Sequence, residues 1–148
     1  MKDVEVRVEA VIDAPRVKVA EYVADPDTAP EWYENITRAE WRSPKPLRVG
    51  SRIGFTANFL GKKLDYTYEI TEFIPDEKLV MEAVESPMAM QTTYLWQDAG
   101  VGKTRMVLIN RGKQSKYFGF LSPLMMIAMR RAMTKNLKDL RRILEKKV

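Results

Sequence analysis

The sequence contains neither cysteine nor histidine, and these two absences restrict its chemistry strongly. Without cysteine the chain cannot form disulfides, zinc–thiolate sites or a thiol nucleophile. Without histidine it cannot assemble a Ser-His-Asp or Cys-His catalytic system or a histidine-ligated metal site. Any acid–base chemistry would have to use Asp, Glu, Lys or Tyr side chains. We expect neither a metal site nor a cofactor.

Long apolar segments are also missing. No apolar run approaches the roughly 18 residues that a membrane-spanning helix needs. The first five residues are acidic and alternating, unlike the basic and apolar regions of a secretory signal. The 148 residues are 45% hydrophobic and 30% charged, which is typical of a globular protein with a hydrophobic core. We predict a single domain over residues 1–148 and a cytoplasmic location.

Apolar and polar residues alternate through much of the first 110 positions, which is the pattern of half-buried strands. A strand is predicted over residues 4–12, followed by a short helix that ends before Asp25-Pro26. A second short helix is predicted around Pro30 to Glu34, because proline is tolerated in a first helical turn. Turn residues then separate further predicted strands within residues 36–42, 51–60, 63–73, 79–83, 90–96 and 104–110.

The last third of the chain has a helical pattern instead. Ser122 is a good N-cap, and Pro123 suits the first helical position. Apolar residues then recur every three or four positions, as in an amphipathic helix packed against an apolar surface. They are Met125, Met129, Ala132, Met133, Leu137, Leu140, Ile143 and Leu144. Methionine adapts to irregular space, so the first turns suit the wall of a cavity, although an ordinary core explains them equally simply.

The order of these elements predicts the architecture. Strands joined by short turns should pair antiparallel with their sequence neighbours. We therefore predict an α+β fold in which a curved antiparallel sheet of about seven strands wraps around the long C-terminal helix, with two short helices after the first strand. The C-terminal helix is the only predicted element large enough to cover the apolar face of that sheet. A helix meets a curved sheet only along a seam, so a pocket is expected between them.

Several short motifs also occur in a characteristic order. They are Ile12-Asp13-Ala14-Pro15 with the following segment to Pro26, Pro30-Glu31-Trp32, Val49-Gly50-Ser51, the segment 68–75 with Lys78-Leu79-Val80, and Gly102-Lys103-Thr104-Arg105-Met106. Together they resemble the START-like helix-grip superfamily, in particular its polyketide cyclase/dehydrase-like (SRPBCC) proteins. The last motif departs from the Gly-Thr-Arg that is frequent in this family, because Lys103 is inserted before the threonine.

The resemblance covers most of the chain and implies a helix-grip fold with a deep apolar cavity. Proteins of this superfamily bind lipids, polyketides, hormones or isoprenoid-like molecules, and they include both enzymes and carriers. The resemblance thus implies a small hydrophobic ligand, but it does not identify that ligand.

Candidate ligand-binding residues are the aromatic, methionine and neutral polar residues on the inferred inner faces. Large rings beside a few hydroxyl groups suit an apolar ligand with one or two polar groups. An ordinary aromatic core is the alternative. The candidates are Trp32, Phe55, Phe59, Tyr66, Tyr68, Met81, Met90, Thr92, Tyr94, Met106, Leu108, Asn110, Met125 and Met129.

No Asp, Glu, Lys or Arg falls clearly on these inner faces, and this favours binding over catalysis. We predict a protein that binds or transports a small hydrophobic ligand and has no catalytic residue. The alternative is a polyketide cyclase or aromatase that uses the same cavity, with Tyr66, Tyr94 and Asn110 as its polar groups. Tyrosine with an ordinary pKa near 10 is a poor proton carrier without a perturbing neighbour.

The charged surface offers two further readings. Asp25, Asp27, Glu31, Glu34, Asp76 and Glu77 fall at turns and helix starts, where acidic residues cap helices, so we predict no metal there. The net charge is +5, and the C-terminal helix carries a basic face. It consists of Arg130, Arg131, Lys135, Lys138, Arg141 and Arg142. We expect a solvated face with at most weak contact to an anionic membrane, and no nucleic-acid partner. The sequence does not predict an oligomeric state.

Overall fold

The structure is a computed structural model that describes residues 3–59, 61–84, 89–113 and 123–146. The side chains of Phe59 and Met125 lie outside the described part, as does the predicted N-cap Ser122. The elements in chain order are β1 (Asp3–Ile12), α1 (Arg16–Ala24), α2 (Ala29–Trp32), β2 (Ile36–Trp41), β3 (Arg52–Phe59), β4 (Lys62–Ile74), β5 (Lys78–Val84), β6 (Met90–Asp98), β7 (Thr104–Lys113) and α3 (Pro123–Lys146). A turn of 3-10 helix, Pro26–Thr28, joins α1 to α2.

The seven strands form one antiparallel sheet in the order β1-β7-β6-β5-β4-β3-β2. Each strand from β2 to β7 pairs with its sequence neighbour, and β1 closes the sheet by pairing with β7. Tight turns allow neighbouring strands to pair in this order. Gly61, between β3 and β4, has a φ of 78°, which glycine adopts easily because it has no Cβ to clash with the backbone. The predicted α+β architecture is confirmed.

Two irregularities bend the sheet. The register shifts between Ile36 and Arg38 on β2 and between Ile70 and Glu72 on β4. An extra residue on one strand increases its local twist and bends it. The inner face of the sheet therefore becomes concave, with its apolar side chains turned toward the helices.

Helix α3 packs with one face against β1 and α2. That face buries Met133, Leu137, Leu140 and Leu144. Side-chain hydrogen bonds hold both ends of this packing: Asn136 Oδ1 accepts from the Glu34 backbone N–H at 3.0 Å, and Glu145 Oε2 accepts from the Asp13 N–H at 2.9 Å. The predicted apolar stripe is confirmed at these four positions.

The basic face of α3 differs in one residue from the sequence prediction. Arg130 Nη1 donates a hydrogen bond to the Arg7 backbone oxygen at 2.9 Å. Its guanidinium therefore ties the helix to β1, whereas the structure gives the other basic residues of the face only as exposed, with no such bond to the sheet among the described residues. Periodicity could not show this, because Arg130 lies at the border between the two faces.

The short helices cover more of the sheet than expected. Helix α1 buries Val19, Ala20 and Val23, and α2 buries Ala29 and Trp32. All five belong to the same core as the inner face of the sheet. The expectation that only the C-terminal helix is large enough to cover the sheet is therefore wrong, because several short elements share the task.

Candidate functional site

The candidate site lies on the inner face, where cross-strand register places polar groups beside apolar ones. Thr92 on β6 is paired with Asn110 on β7, and on its other side with Met81 on β5. Inner-face residues of neighbouring strands therefore form a row that crosses the middle of the sheet. Thr92 and Asn110, both candidate ligand-binding residues, are therefore neighbours on this face.

A chain of three hydrogen-bonding side chains runs along this region. The Thr92 hydroxyl donates to Asn110 Oδ1 at 2.7 Å, and the Tyr68 and Thr92 hydroxyls are 3.1 Å apart. Threonine has a single hydroxyl hydrogen, and Asn110 uses it, so Tyr68 is the donor to Thr92. The chain therefore ends at the Asn110 amide nitrogen, which carries two donor hydrogens and has no partner within the described residues.

A second polar pair joins α2 to the sheet. The Tyr33 and Tyr94 hydroxyl oxygens are 2.7 Å apart. Two hydroxyl groups that share one hydrogen bond keep one hydrogen free for a further acceptor. The Tyr33 ring also packs against Trp32, with ring centroids 4.2 Å apart and the ring planes tilted by 41°. Tyr33 is not among the predicted ligand-binding residues; its only signal in the sequence is its place beside Trp32 in a short helix.

The aromatic candidates on β3 and β4 form one cluster. The rings of Phe55, Tyr66 and Tyr68 lie with pairwise centroid distances of 5.3 to 5.9 Å. Phe55 and Tyr68 are buried, whereas Tyr66 is only partly covered. Tyr66 is therefore the solvent-accessible edge of this cluster. It makes no hydrogen bond within the described part of the chain.

The inner-face tyrosines are all held in the neutral form. Burial raises the pKa of Tyr33, Tyr66 and Tyr94 well above the usual phenol value, since the phenolate would lose its hydration. Burial also raises the pKa of Tyr68, which its hydrogen bond to Thr92 lowers in part. For Tyr33 the neighbouring Tyr94 raises the pKa further, whereas for Tyr94 the hydrogen bond to Tyr33 lowers it in part. These hydroxyls are therefore hydrogen-bond donors at neutral pH and poor bases.

Charge is absent from the described interior. The buried side chains with polar or charged character are those of Ser51, Thr92, Thr104 and Asn136, all neutral. Over the described ranges, no three Asp or Glu residues lie close enough together to hold a metal ion. The interior can therefore offer hydrogen bonds but no counter-ion for a charged group.

A small pocket lies beneath the short helices. Its volume is about 20 Å³, which is room for about one water. Of the predicted ligand-binding residues, Trp32, Phe55, Met81 and Tyr94 line it. The indole N–H of Trp32 is buried and has no acceptor within the described residues, and the same holds for Trp96. An unsatisfied donor beside a small void is a group that water or a ligand atom can satisfy.

The other predicted residues occupy different parts of the inner face. Met106 and Leu108 are fully enclosed in the core, and Thr92 is buried next to them. Tyr66, Met90, Asn110 and Met129 are half-buried. Phe59 and Met125 lie outside the described side chains. The structure thus brings together Tyr68, Thr92 and Asn110 as one group and Trp32 and Tyr94 as another, while the pocket beside α3 stays a prediction.

An open depression of about 140 Å³ lies on the outer side of β2, β3 and β4. Charged side chains line it: Glu40 lies 3.7 Å from Arg38 and 3.8 Å from Arg42, and Asp65 accepts a 2.8 Å hydrogen bond from Thr56. This lining does not suit an apolar ligand, so the inner face remains the candidate site.

The fold and the inner face define the class of the protein as a helix-grip domain with a largely apolar interior, in which the buried polar side chains that the structure describes are all neutral. A family model described as polyketide cyclase / dehydrase and lipid transport matches residues 3–145, so the chain belongs to this family. No curated protein sequence matches the chain. This membership confirms the resemblance to the polyketide cyclase/dehydrase-like (SRPBCC) proteins found in the sequence.

Solved structures with the same fold are distant in sequence. A Thermus thermophilus protein is 22% identical with a TM-score of 0.79 over 93% of this chain and 94% of that chain. The Zhui aromatase/cyclase from a Streptomyces species is 15% identical with a TM-score of 0.80 over 98% and 95%. A START superfamily protein from Mycobacterium smegmatis is 10% identical with a TM-score of 0.82 over 97% and 99%. At these identities the likeness shows the fold alone.

Proposed function

We propose that the protein binds a small, neutral, mostly apolar molecule carrying at least one hydrogen-bond acceptor, held between the sheet and its helices. One observation carries this proposal: the polar groups of the inner face end in donors, and the described interior contains no charged side chain. The family description, which names lipid transport beside cyclase and dehydrase activity, supports a hydrophobic ligand. The expected cytoplasmic location stays a prediction.

The donors define the part of the ligand that is recognised. The Asn110 amide, the Tyr66 hydroxyl and one hydroxyl of the Tyr33–Tyr94 pair each offer hydrogens that the described residues leave unused. A ketone, ester or ether oxygen would accept them. A carboxylate or phosphate would find no buried counter-ion among the described residues, and burial of an unpaired charge is far costlier than burial of a carbonyl. Fatty acids and lipid phosphates are therefore disfavoured as interior ligands.

The proposed lining combines these donors with the predicted apolar residues. It consists of Trp32, Phe55, Phe59, Tyr66, Tyr68, Met81, Met90, Thr92, Tyr94, Met106, Leu108, Asn110, Met125 and Met129. The half-buried members, Tyr66, Met90, Asn110 and Met129, are those that a ligand would reach first. Because the described void holds only about one water, a larger ligand needs the half-buried side chains to move apart.

A matched pair of fluorescent probes tests the proposal. N-phenyl-1-naphthylamine is neutral, and 8-anilino-1-naphthalenesulfonate has the same aromatic skeleton with an added sulfonate. We expect the neutral probe to bind and the anionic probe to bind at least about tenfold more weakly, since the sulfonate finds no counter-ion in the interior. Two results together would contradict the proposal. One is equal or tighter binding of the anionic probe, and the other is unchanged binding of both probes by the variant Met129→Trp.

A cyclase remains the second candidate, and the family description favours it as well. The Tyr68–Thr92–Asn110 chain could polarise a ligand carbonyl. The raised pKa of each inner-face tyrosine argues against a role as base, so we assign no catalytic residue.

The test that separates the cyclase from the carrier is to incubate the protein with the ligand extracted from its host and to look for a new mass. Conversion that disappears in Tyr66→Phe, Tyr94→Phe or Asn110→Leu would favour the cyclase, and recovery of unchanged ligand would favour the carrier.

A further inference from the structure

Helix α3 carries an exposed stripe opposite its buried face. At 100° per residue, one narrow sector of the helix contains two apolar residues in the first turns and four basic residues after them. The stripe consists of Leu124, Ile127, Arg131, Lys135, Lys138 and Arg142, all exposed. From Leu124 to Arg142 it extends over about 27 Å.

The two apolar residues at the start of the stripe are unusual on this surface. Leu124 is 77% exposed and Ile127 is 53% exposed, one helical turn apart on the same side. The other large exposed apolar side chains, including Val49 and Val101, lie singly on different elements, which is ordinary for a globular protein. A pair of bulky apolar side chains on one exposed turn is more typical of a contact surface.

The basic part of the stripe keeps a net positive charge. Asp139, at the edge of the stripe, is 2.8 Å from Lys135 and 3.1 Å from Arg142. Arg131 and Lys138 take part in no ion pair within the described part of the chain. Glu34 also lies near enough to act electrostatically on Lys135. The four cations therefore outnumber the two neighbouring carboxylates, and the stripe keeps an excess of positive charge.

We propose that this stripe docks on an anionic lipid bilayer, with Leu124 and Ile127 entering the headgroup region and Arg131, Lys135, Lys138 and Arg142 contacting anionic headgroups. Apolar residues beside a cationic row on one exposed helix face are the arrangement of helices that bind the plane of a membrane. Charge complementarity selects a negatively charged bilayer, and a second copy of the chain would present the same cations and repel. This surface is separate from the inner face and does not depend on which ligand binds there.

Vesicle sedimentation tests the docking. The full-length protein should bind vesicles of phosphatidylcholine and phosphatidylserine, bind vesicles of phosphatidylcholine alone much more weakly, and dissociate as salt is added. The paired change Arg131→Gln and Lys138→Gln should weaken binding by about tenfold or more, since each basic residue near an anionic surface contributes about fivefold. The matched control, Lys18→Gln with Arg48→Gln, removes the same charge from exposed positions on other elements and should bind like the unchanged protein.

The apolar contact has its own test. Leu124→Gln with Ile127→Gln should also lower the affinity for phosphatidylserine vesicles, whereas Val49→Gln with Val101→Gln, which removes exposed apolar side chains elsewhere, should not. Circular dichroism checks that every variant keeps its fold. The proposal is overturned by absence of vesicle binding, by equal binding to both vesicle types, or by unchanged affinity of either stripe variant. Binding to polyanions such as heparin without binding to vesicles would indicate a different partner and also overturn it.

Discussion

At the scale of single residues, the position of hydrogens determines what the interior can recognise. Asn110 accepts the only hydroxyl hydrogen of Thr92, and Tyr68 in turn donates to Thr92. This order leaves the Asn110 amide hydrogens as the open end of the chain. A neutral site of this kind distinguishes ligands by the presence of an acceptor oxygen, which apolar packing alone cannot do.

Substitution of Asn110 by leucine should remove that discrimination. A matched ligand pair is 2-acetylnaphthalene and 2-ethylnaphthalene, measured by displacement of the neutral probe. We expect the unchanged protein to prefer the ketone by about two- to tenfold, the worth of one hydrogen bond, and Asn110→Leu to lose this preference. Asn58→Leu, on an exposed position of β3, is the control and should keep it. A ketone preference that survives in Asn110→Leu would show that the amide is not the donor.

The inner-face tyrosines predict a stability change at alkaline pH. Tyr33, Tyr66, Tyr68 and Tyr94 have a raised pKa in the folded state, so the native protein holds these protons more tightly than the unfolded chain. Their stabilisation is fully present below the unfolded value near pH 10 and is lost above it, by up to about 1.4 kcal/mol per pH unit for each tyrosine.

Urea unfolding over a pH series measures this effect. The free energy of unfolding should decline more gently above pH 10 in Tyr94→Phe than in the unchanged protein, because one of the titrating groups is gone. Below about pH 9 the difference between the two proteins should not vary with pH. Tyrosinate absorbance of the native protein provides the check. If it shows that all the tyrosines ionise near pH 10, the burial of the four inner-face tyrosines is contradicted.

At the scale of elements, α3 serves two surfaces with opposite chemistry. Its inner side places Met133, Leu137, Leu140 and Leu144 in the core, while its outer side is apolar at the start and basic afterwards. Most of the stability of a helix comes from packing of its apolar face rather than from intrinsic propensity. Changes on the two sides of this helix should therefore have very different energetic consequences.

A pair of alanine substitutions on α3 checks this division. Leu140 is completely buried, so Leu140→Ala should lower the free energy of unfolding by about 2–5 kcal/mol through lost burial and a residual cavity. Ile127 is 53% exposed, so Ile127→Ala should change it by less than about 0.5 kcal/mol. Both values come from denaturant titration. Similar losses for the two variants would mean that the helix is rotated from the orientation described.

Whole-molecule architecture was predictable from the sequence to a large extent. Period-two alternation on β4 placed Tyr66, Tyr68 and Ile70 on one face, and the seven strands and three helices follow the predicted order. The shift between Ile70 and Glu72 was not predictable, because one sequence does not show where an extra residue is accommodated in a strand. Element boundaries differed from the predictions by only a few residues.

The site was predictable only where it follows from neighbouring strands. Thr92 and Asn110 meet because β6 and β7 are joined by a short hairpin, and alternation gives both side chains the same face. The contact between Tyr33 and Tyr94 joins residues far apart in the chain, and it depends on how α2 seats on the sheet. The volume left under α1 and α2 depends on the same packing, which residue types and spacing do not determine.

At the scale of the whole molecule, the central claim is that the fold encloses a neutral ligand in an uncharged interior. In the described part of the chain, no helix is long and apolar enough to cross a membrane. The nature of the ligand held in the interior is the quantity to measure.

The nature of the bound ligand is measured most directly by native mass spectrometry. The protein is purified from its own host, and the ligand is then extracted with organic solvent. The account predicts a population with the added mass of one small molecule per chain. That molecule should be released by the solvent and should be neutral, mostly hydrocarbon and equipped with a carbonyl or ether oxygen. Recovery of a carboxylate- or phosphate-bearing molecule from the interior, or of protein that carries no small molecule at all, would contradict it.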